Sequence, residues 1–422
     1  MQSTRAFPFS LGSTAIIIIC LVVTTMDGFN LVVFGQALPL LLDDSSIELS
    51  STGAGLLGAM VYLGSLPTTF LATILAEKMG RHRIMALSAL MFTLGCILSA
   101  IAPNAVLLGL ARFVSGLGVG GAVTTAMTLA RNNAKPTRVG LVITITMAGI
   151  PLGGTLAAVM SIGLSGAGYS WRSFFWVGAV ISAVILLVIL ATRAEEPTEV
   201  LKSDLSSSAR IFALFRGRML LPVSFIALLS AVNMLTWLGM NAWLAESMRS
   251  AGFPLQVALS FTMILSLAAI AGSFFFAWLA DRYSATLITA IASCAALLGM
   301  LGLLLGSTAV PVAMLFVALV GVGGHSTQAL LNAAASKAVA PQSRGSILAI
   351  TNSMASIGSF FGPIVGGAAY GIATHSGVFT AFAITMGICV ALAWAVVATL
   401  RQNATDEATG SAVATPRPTE AV

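Results

Sequence analysis

The chain has 422 residues, 58% of them apolar and only 8% charged, with a mean hydropathy of +0.99. A soluble domain carries about 25% charged residues, so this composition excludes a soluble enzyme or binding module and requires a multi-pass membrane protein. The net charge of +6 is spread over loops between apolar runs and is not a nucleic-acid footprint.

The first apolar run, 14–42, is too long for the core of a cleavable signal and reads as a retained first span. Asp27 sits at its middle, followed by Gly28, Phe29 and Asn30. A carboxylate at that depth costs at least about 2.5 kcal/mol on insertion scales. Asp27 is therefore expected to face a wet cavity or a partner charge, with Asn30 on the same helix face.

Further apolar runs fall near 52–75, 84–102, 105–130, 139–164, 173–191, 219–246, 256–280, 285–306, 311–333, 345–371 and 377–400. Twelve spans place both termini on one side. Seventeen of the 20 Lys and Arg fall in the head, the tail and the loops after even-numbered spans. Only Arg172 and Arg249 lie in the opposite loops, and Arg112 lies inside a span. The positive-inside rule then makes both termini cytoplasmic.

The expected organisation is an N-terminal six-helix bundle (1–191), a polar cytoplasmic linker (192–218), a C-terminal six-helix bundle (219–400) and a disordered tail (401–422). The halves repeat in the same orientation. Ala76-Glu77-Lys78 recurs as Ala280-Asp281-Arg282 at an offset of 204, and Pro136 and Gly140 recur as Pro341 and Gly345 at an offset of 205. Such parallel repeats place a substrate site between the halves, near mid-membrane. The cysteines, Cys20, Cys96, Cys294 and Cys389, are scattered in apolar runs. They suggest neither a metal site nor a disulfide framework.

The loop Glu77-Lys78-Met79-Gly80-Arg81-His82-Arg83 places an acid at one helix end and bases after a glycine turn. It reads either as positive-inside punctuation or, with Asp281 and Arg282, as a cytoplasmic latch in which an acid faces a helix N-terminus. Arg112 opens a run with Gly116, Gly118, Gly120 and Gly121. It either snorkels to the nearer interface or serves as a buried counter-charge, to Asp27 or to an anionic substrate. Gly149, Pro151, Gly153 and Gly154 mark a tightly packed fifth span.

Span seven carries Asn233, Trp237 and Asn241 on one face, with Trp243 and Glu246 near its outer end. Trp243 is expected in the interfacial aromatic belt. In span ten, His325, Gln328 and Asn332 share a face. His325 is either a hydrogen-bonded core residue or a ligand for substrate or proton, since histidine titrates near neutrality. No phosphate-cradling loop, zinc motif or nucleophile elbow is present. With no enzyme chemistry, no cofactor and no ATP site, uphill transport must draw on an ion gradient.

The loop after span two resembles the major facilitator signature Gly-x-x-x-Asp-Arg-x-Gly-Arg-Arg, with Thr73, Glu77 and Lys78 as departures. A closer resemblance is to the aromatic acid:proton symporters. Asp27-Gly28-Phe29 is similar to their Asp-Gly-x-Asp motif, with Asn30 where a second Asp is usual. Gly168 to Phe174, Leu235 to Trp237 and Gly323 to Gly345 resemble further segments of that family. The resemblance implies a major facilitator fold in a bacterial inner membrane and import of hydroxybenzoate-, benzoate- or phenylpropionate-type carboxylates with protons. On this reading proton coupling is expected at Asp27, Arg112 and His325. Asn30, Arg112, Trp237, Asn241, His325, Gln328 and Asn332 become substrate contacts, and Glu77, Lys78, Gly80, Arg81, Arg83, Asp281 and Arg282 the cytoplasmic gate. The alternative is a facilitator of the same fold that exports drugs or imports a non-aromatic acid.

Overall fold

The computed structural model describes residues 12–135, 138–192, 214–215, 217–306 and 309–413. Most of the expected linker and the end of the expected tail lie outside the described residues. Eleven long helices are found among those described: α1 (Ser13–Leu42), α2 (Ser51–Met79), α3 (Arg81–Ile101), α4 (Ala105–Asn132), α5 (Val139–Gly166), α6 (Trp171–Ala191), α7 (Leu220–Ser250), α8 (Leu255–Arg282), α9 (Ala285–Leu304), α10 (Val310–Ala338) and α11 (Arg344–Val413). Ten of them are long and apolar enough to cross a membrane. The expected eleventh and twelfth spans are joined in α11, which leaves helical geometry at Ala373 and Thr374, the latter with φ +49°. Helical backbone continues through Val413, past the expected end of the last span.

Helix ends follow local chemistry. Ser50 and Asn104 cap α2 and α4 by accepting from the backbone N–H of Gly53 and Leu107. Gly80, with φ +88°, separates α2 from α3. Beyond α5 and α7, Gly168 and Gly252 take positive φ. There Tyr169 N–H bonds Leu164 O, and Phe253 N–H bonds Met248 O, which closes each end as a Schellman motif.

Between spans, small residues set the spacing, because lipid offers no hydrophobic drive for helix association. A Cβ on Gly28 would strike the backbone of Ile150, and one on Gly153 would strike Thr25 O, so α1 and α5 touch backbone to backbone. Thr24 Oγ1 donates to Thr146 O at 2.6 Å in the same seam. Gly64 and Gly116 join α2 to α4, and Gly358 and Gly362 join α11 to α7. Side chains such as Val180, Leu187, Leu298 and Ile384 are exposed on the outer surface, as a lipid-facing wall requires.

Among the described residues, close glycine contacts join the first six helices to the remainder. Gly35 of α1 packs on Asn241 and Ala242 of α7. Gly55 of α2 packs on Pro363 and Gly367 of α11. Gly154 of α5 packs on Ser266 of α8. Near the α1 and α7 C-termini, Arg249 adds hydrogen bonds to Asp43.

Candidate functional site

Asp27 is 1% exposed, and its Oδ1 has no hydrogen-bond partner. Asn30, one turn on, is fully buried. Its Nδ2 donates to Met26 O at 3.2 Å, and its Oδ1 accepts from Cys96 Sγ at 3.1 Å. The Asn30 side chain is therefore turned into the first bundle, toward α3. Its backbone carbonyl is used differently. Both terminal nitrogens of Arg112 donate to Asn30 O, at 3.1 and 3.2 Å.

Arg112 is 1% exposed and lies over the Phe34 ring, 5.3 Å from its centroid. It does not snorkel. Its Nε has no partner. Among the described residues, no ion pair or hydrogen bond joins Asp27 to Arg112 or to His325. A buried acid and a buried base thus lie in one bundle, each with unspent hydrogen-bonding capacity. Such orphaned groups cost roughly 1–3 kcal/mol apiece, more when charged, unless water or a ligand completes them.

The second cluster is built by α7, α8, α10 and α11. Trp237 and His325 meet edge to face, with centroids 5.5 Å apart. His325 Nδ1 lies 3.0 Å from Ser273 Oγ of α8. Gly324 makes room for the indole: a Cβ there would sit 3.0 Å from the Trp237 ring. Gln328 Nε2 donates to Ser230 Oγ at 2.9 Å and reaches Asn332 Oδ1 at 3.5 Å. Asn332 Nδ2 in turn reaches Asn352 Oδ1 at 3.5 Å, so the polar face of α10 forms a chain onto α11. Asn241 is buried, and its Nδ2 donates to Trp237 O at 2.8 Å.

Two buried amides complete the inventory. Gln36 and Asn233 are fully buried, and neither polar atom of either side chain has a partner. Asn233 shares its helix face with Trp237 and Asn241. Gln36 escaped sequence reading because one amide in a long apolar helix carries no periodicity. Its signal was depth alone, the same signal that marked Asp27.

Trp243 is not in an aromatic belt. It is 1% exposed, donates Nε1–H to Pro363 O at 2.9 Å and lies against Gly366 and Tyr370. The glycines of α11 open a slot that draws the indole inward. Around it an ionic chain spans the helix ends. Arg249 donates to Asp43 at 2.6 Å and to Glu246 at 2.9 Å, and Tyr370 Oη donates to Glu246 at 2.5 Å. Asp44 is held separately, by Ser46, Trp171 and Arg172. The Ser46 hydrogen bond is the foremost reason its carboxyl lies well below the usual carboxylate range, with Trp171 next.

At the opposite end, Lys78, Arg83, Asp281 and Arg282 are exposed, and Arg81 is partly so. Arg282 lies over the Trp278 ring at 4.1 Å. Among the described residues none of these five joins an ion pair, and the side chain of Glu77 lies outside the described set. Gly80 supplies the left-handed turn between α2 and α3.

The sequence pattern of the Major Facilitator Superfamily matches residues 17–363. The chain belongs to that superfamily. It is 30% identical over 350 residues to a gentisate transporter of Corynebacterium glutamicum, covering 81% of this chain and 78% of the relative. It is 28% identical over 283 residues to a 3-(3-hydroxy-phenyl)propionate transporter of Escherichia coli, covering 67% and 68%. Among solved structures, a D-xylose-proton symporter matches with a TM-score of 0.76 at 16% identity, over 90% of this chain and 97% of that one. The superfamily and these relatives are transporters, and the resemblance to aromatic acid carriers read from the sequence is borne out.

Proposed function

We propose that the protein imports an aromatic carboxylate together with at least one proton, by alternating access. The observation that carries this reading is Asp27. It is a fully buried carboxyl with an unpartnered oxygen, and one turn along α1 an equally buried Arg112 is held on Asn30 O over the Phe34 ring. A guanidinium above an aromatic face suits a planar ring bearing a carboxylate. A neighbouring carboxyl must be protonated before a second anion can sit there, since two close carboxylates cannot both remain charged. That is the physical basis of coupling.

Relatives that carry gentisate and 3-(3-hydroxy-phenyl)propionate support the substrate class. Across the seam, Trp237 and His325 offer an aromatic wall, and Asn241, Gln328 and Asn332 offer amides for ring hydroxyls. Asn30 takes the role of holding Arg112 rather than touching the ring.

Twelve spans in two six-helix bundles, 1–191 and 219–400, fit this account, with the break at Ala373–Thr374 as the last turn between spans. The excess of Lys and Arg on one side supports cytoplasmic termini. The Asp43–Arg249 end is then external and is the closed end, so the structure corresponds to an inward-facing state. The loops holding Glu77, Lys78, Gly80, Arg81 and Arg83, and Asp281 and Arg282, form the cytoplasmic gate.

The test is uptake of radiolabelled gentisate, benzoate and 4-hydroxybenzoate by proteoliposomes carrying an inward proton gradient. Accumulation that collapses with a protonophore is expected. Accumulation of a non-aromatic acid alone, or outward movement of the label against its gradient, would overturn the reading.

A further inference from the structure

Tyr62 of α2 is buried, at 7% exposed, and its hydroxyl makes no hydrogen bond among the described residues. Helix register fixes where it lies. Gly58 of α2 faces Phe34, with a Cβ there 3.1 Å from the ring, and on the same side it faces Pro363 of α11. Tyr62 is one turn from Gly58 and shares that face. Because α2 runs antiparallel to α1, one turn past Gly58 on α2 matches one turn before Phe34 on α1, which is Asn30. That is the level at which Arg112 bonds Asn30 O. From the other side, Gly116 of α4 abuts the backbone of Val61, and Arg112 lies one turn before Gly116. Tyr62 is therefore placed within about one turn of the level of Arg112, with Asp27 less than a turn beyond Asn30 along α1.

The Tyr62 hydroxyl thus lies where α1, α2 and α4 meet, near two groups with unspent capacity, Asp27 Oδ1 and Arg112 Nε. A buried phenol near a guanidinium, with no protein acceptor, is a donor in search of an anion. We propose that Tyr62 is a substrate-binding residue, its hydroxyl donating to the carboxylate of the aromatic acid that Arg112 holds. The assignment rests on the transport reading above. Two donors from different helices, α2 and α4, would fix the plane of the carboxylate and turn the ring toward Trp237 and His325. The phenol ring itself adds an apolar wall to the seat.

Purified protein in detergent decides it, by measuring the Kd of gentisate and of its uncharged amide, 2,5-dihydroxybenzamide, for the wild type, Tyr62→Phe and Tyr62→His. A hydrogen bond to a charged group corresponds to a loss of about tenfold or more when removed. Tyr62→Phe is expected to weaken gentisate by that factor, to leave the amide within about twofold and to leave the thermal midpoint unchanged. Tyr62→His, which keeps a donor, is expected to recover part of the loss. Unchanged gentisate affinity in Tyr62→Phe, or an equal loss for acid and amide, overturns the assignment while the transport reading stands. A wild type that binds no aromatic acid overturns the transport reading instead. If Tyr62→Phe does not fold, the gentisate-to-amide Kd ratio of Tyr62→His decides the matter. A ratio within about threefold of the wild type supports a donor role, and a larger departure contradicts it.

Discussion

Arg249 of α7 donates two hydrogen bonds to Asp43 at the end of α1, at 2.6 and 3.1 Å. Among the described residues these are the hydrogen bonds that tie helices α1–α6 to α7–α11. Arg249 is itself aimed by Glu246, which Tyr370 of α11 holds in turn. The ionic chain thus clamps α1, α7 and α11 at one end of the seam.

Loss of these contacts is expected to loosen this end of the seam. Asp43 is 58% exposed, so Asp43→Asn should change overall stability by no more than about 1 kcal/mol. Glu246 is buried, and Glu246→Ala strands Tyr370 and unseats Arg249, for a loss of about 2 kcal/mol. Both should open the Asp43 end. An impermeant maleimide should label Ser51→Cys, whose backbone packs on Gly367, several-fold faster in either background. Equal labelling rates would contradict the clamp.

Asp44 gives a pH prediction. Its carboxyl is held below the ordinary carboxylate value by Ser46, then Trp171, with Arg172 also bonded. A depressed folded-state value means that the stabilisation is present above the unfolded value, near 4, and is lost as pH falls below it. Thermal midpoints in detergent should fall below about pH 4 in the wild type and fall less steeply in Asp44→Asn. Parallel pH profiles would show that Asp44 contributes nothing.

The α1–α5 seam tolerates no Cβ. Gly28→Ala would drive a methyl into the Ile150 backbone, and Gly153→Ala would drive one into Thr25 O. Each should cost about 1–3 kcal/mol or more, lowering the yield of monodisperse protein in size exclusion. Gly163→Ala, with open space around it, should be silent.

Much of this was legible in the sequence, for physical reasons. Span positions follow from the length of apolar runs, and Asp27 and Arg112 stood out because charge at that depth is costly. The facing of His325, Gln328 and Asn332 followed from helical spacing. Which way a polar residue turns was not legible. Asn30 shares a face with Asp27 by spacing, yet Cys96 of α3 and the Met26 carbonyl take its side chain, and only its carbonyl serves Arg112. Trp243 misled because an outer-end Trp is usually interfacial, and the slot that buries it is made by glycines more than 100 residues away. Tyr62 carried no signal at all, since an aromatic in a Leu- and Gly-rich span is ordinary until the register of α1, α2 and α4 is known.

Asn30 offers a sharper test of that geometry. Asn30→Asp would place a second carboxyl against the Cys96 thiol and beside the residue whose carbonyl holds Arg112. Folding should survive, because the guanidinium is near enough to compensate. The pH profile of uptake should gain a second titrating step. An unchanged profile would mean that position 30 is isolated from the proton path.

Asp27 is the proposed proton carrier, and proteoliposomes can separate that role from substrate binding. Asp27→Asn, permanently neutral, should abolish accumulation driven by an imposed proton gradient while retaining exchange of labelled for unlabelled aromatic acid across the membrane. Gradient-driven accumulation at the wild-type level in Asp27→Asn would contradict the account.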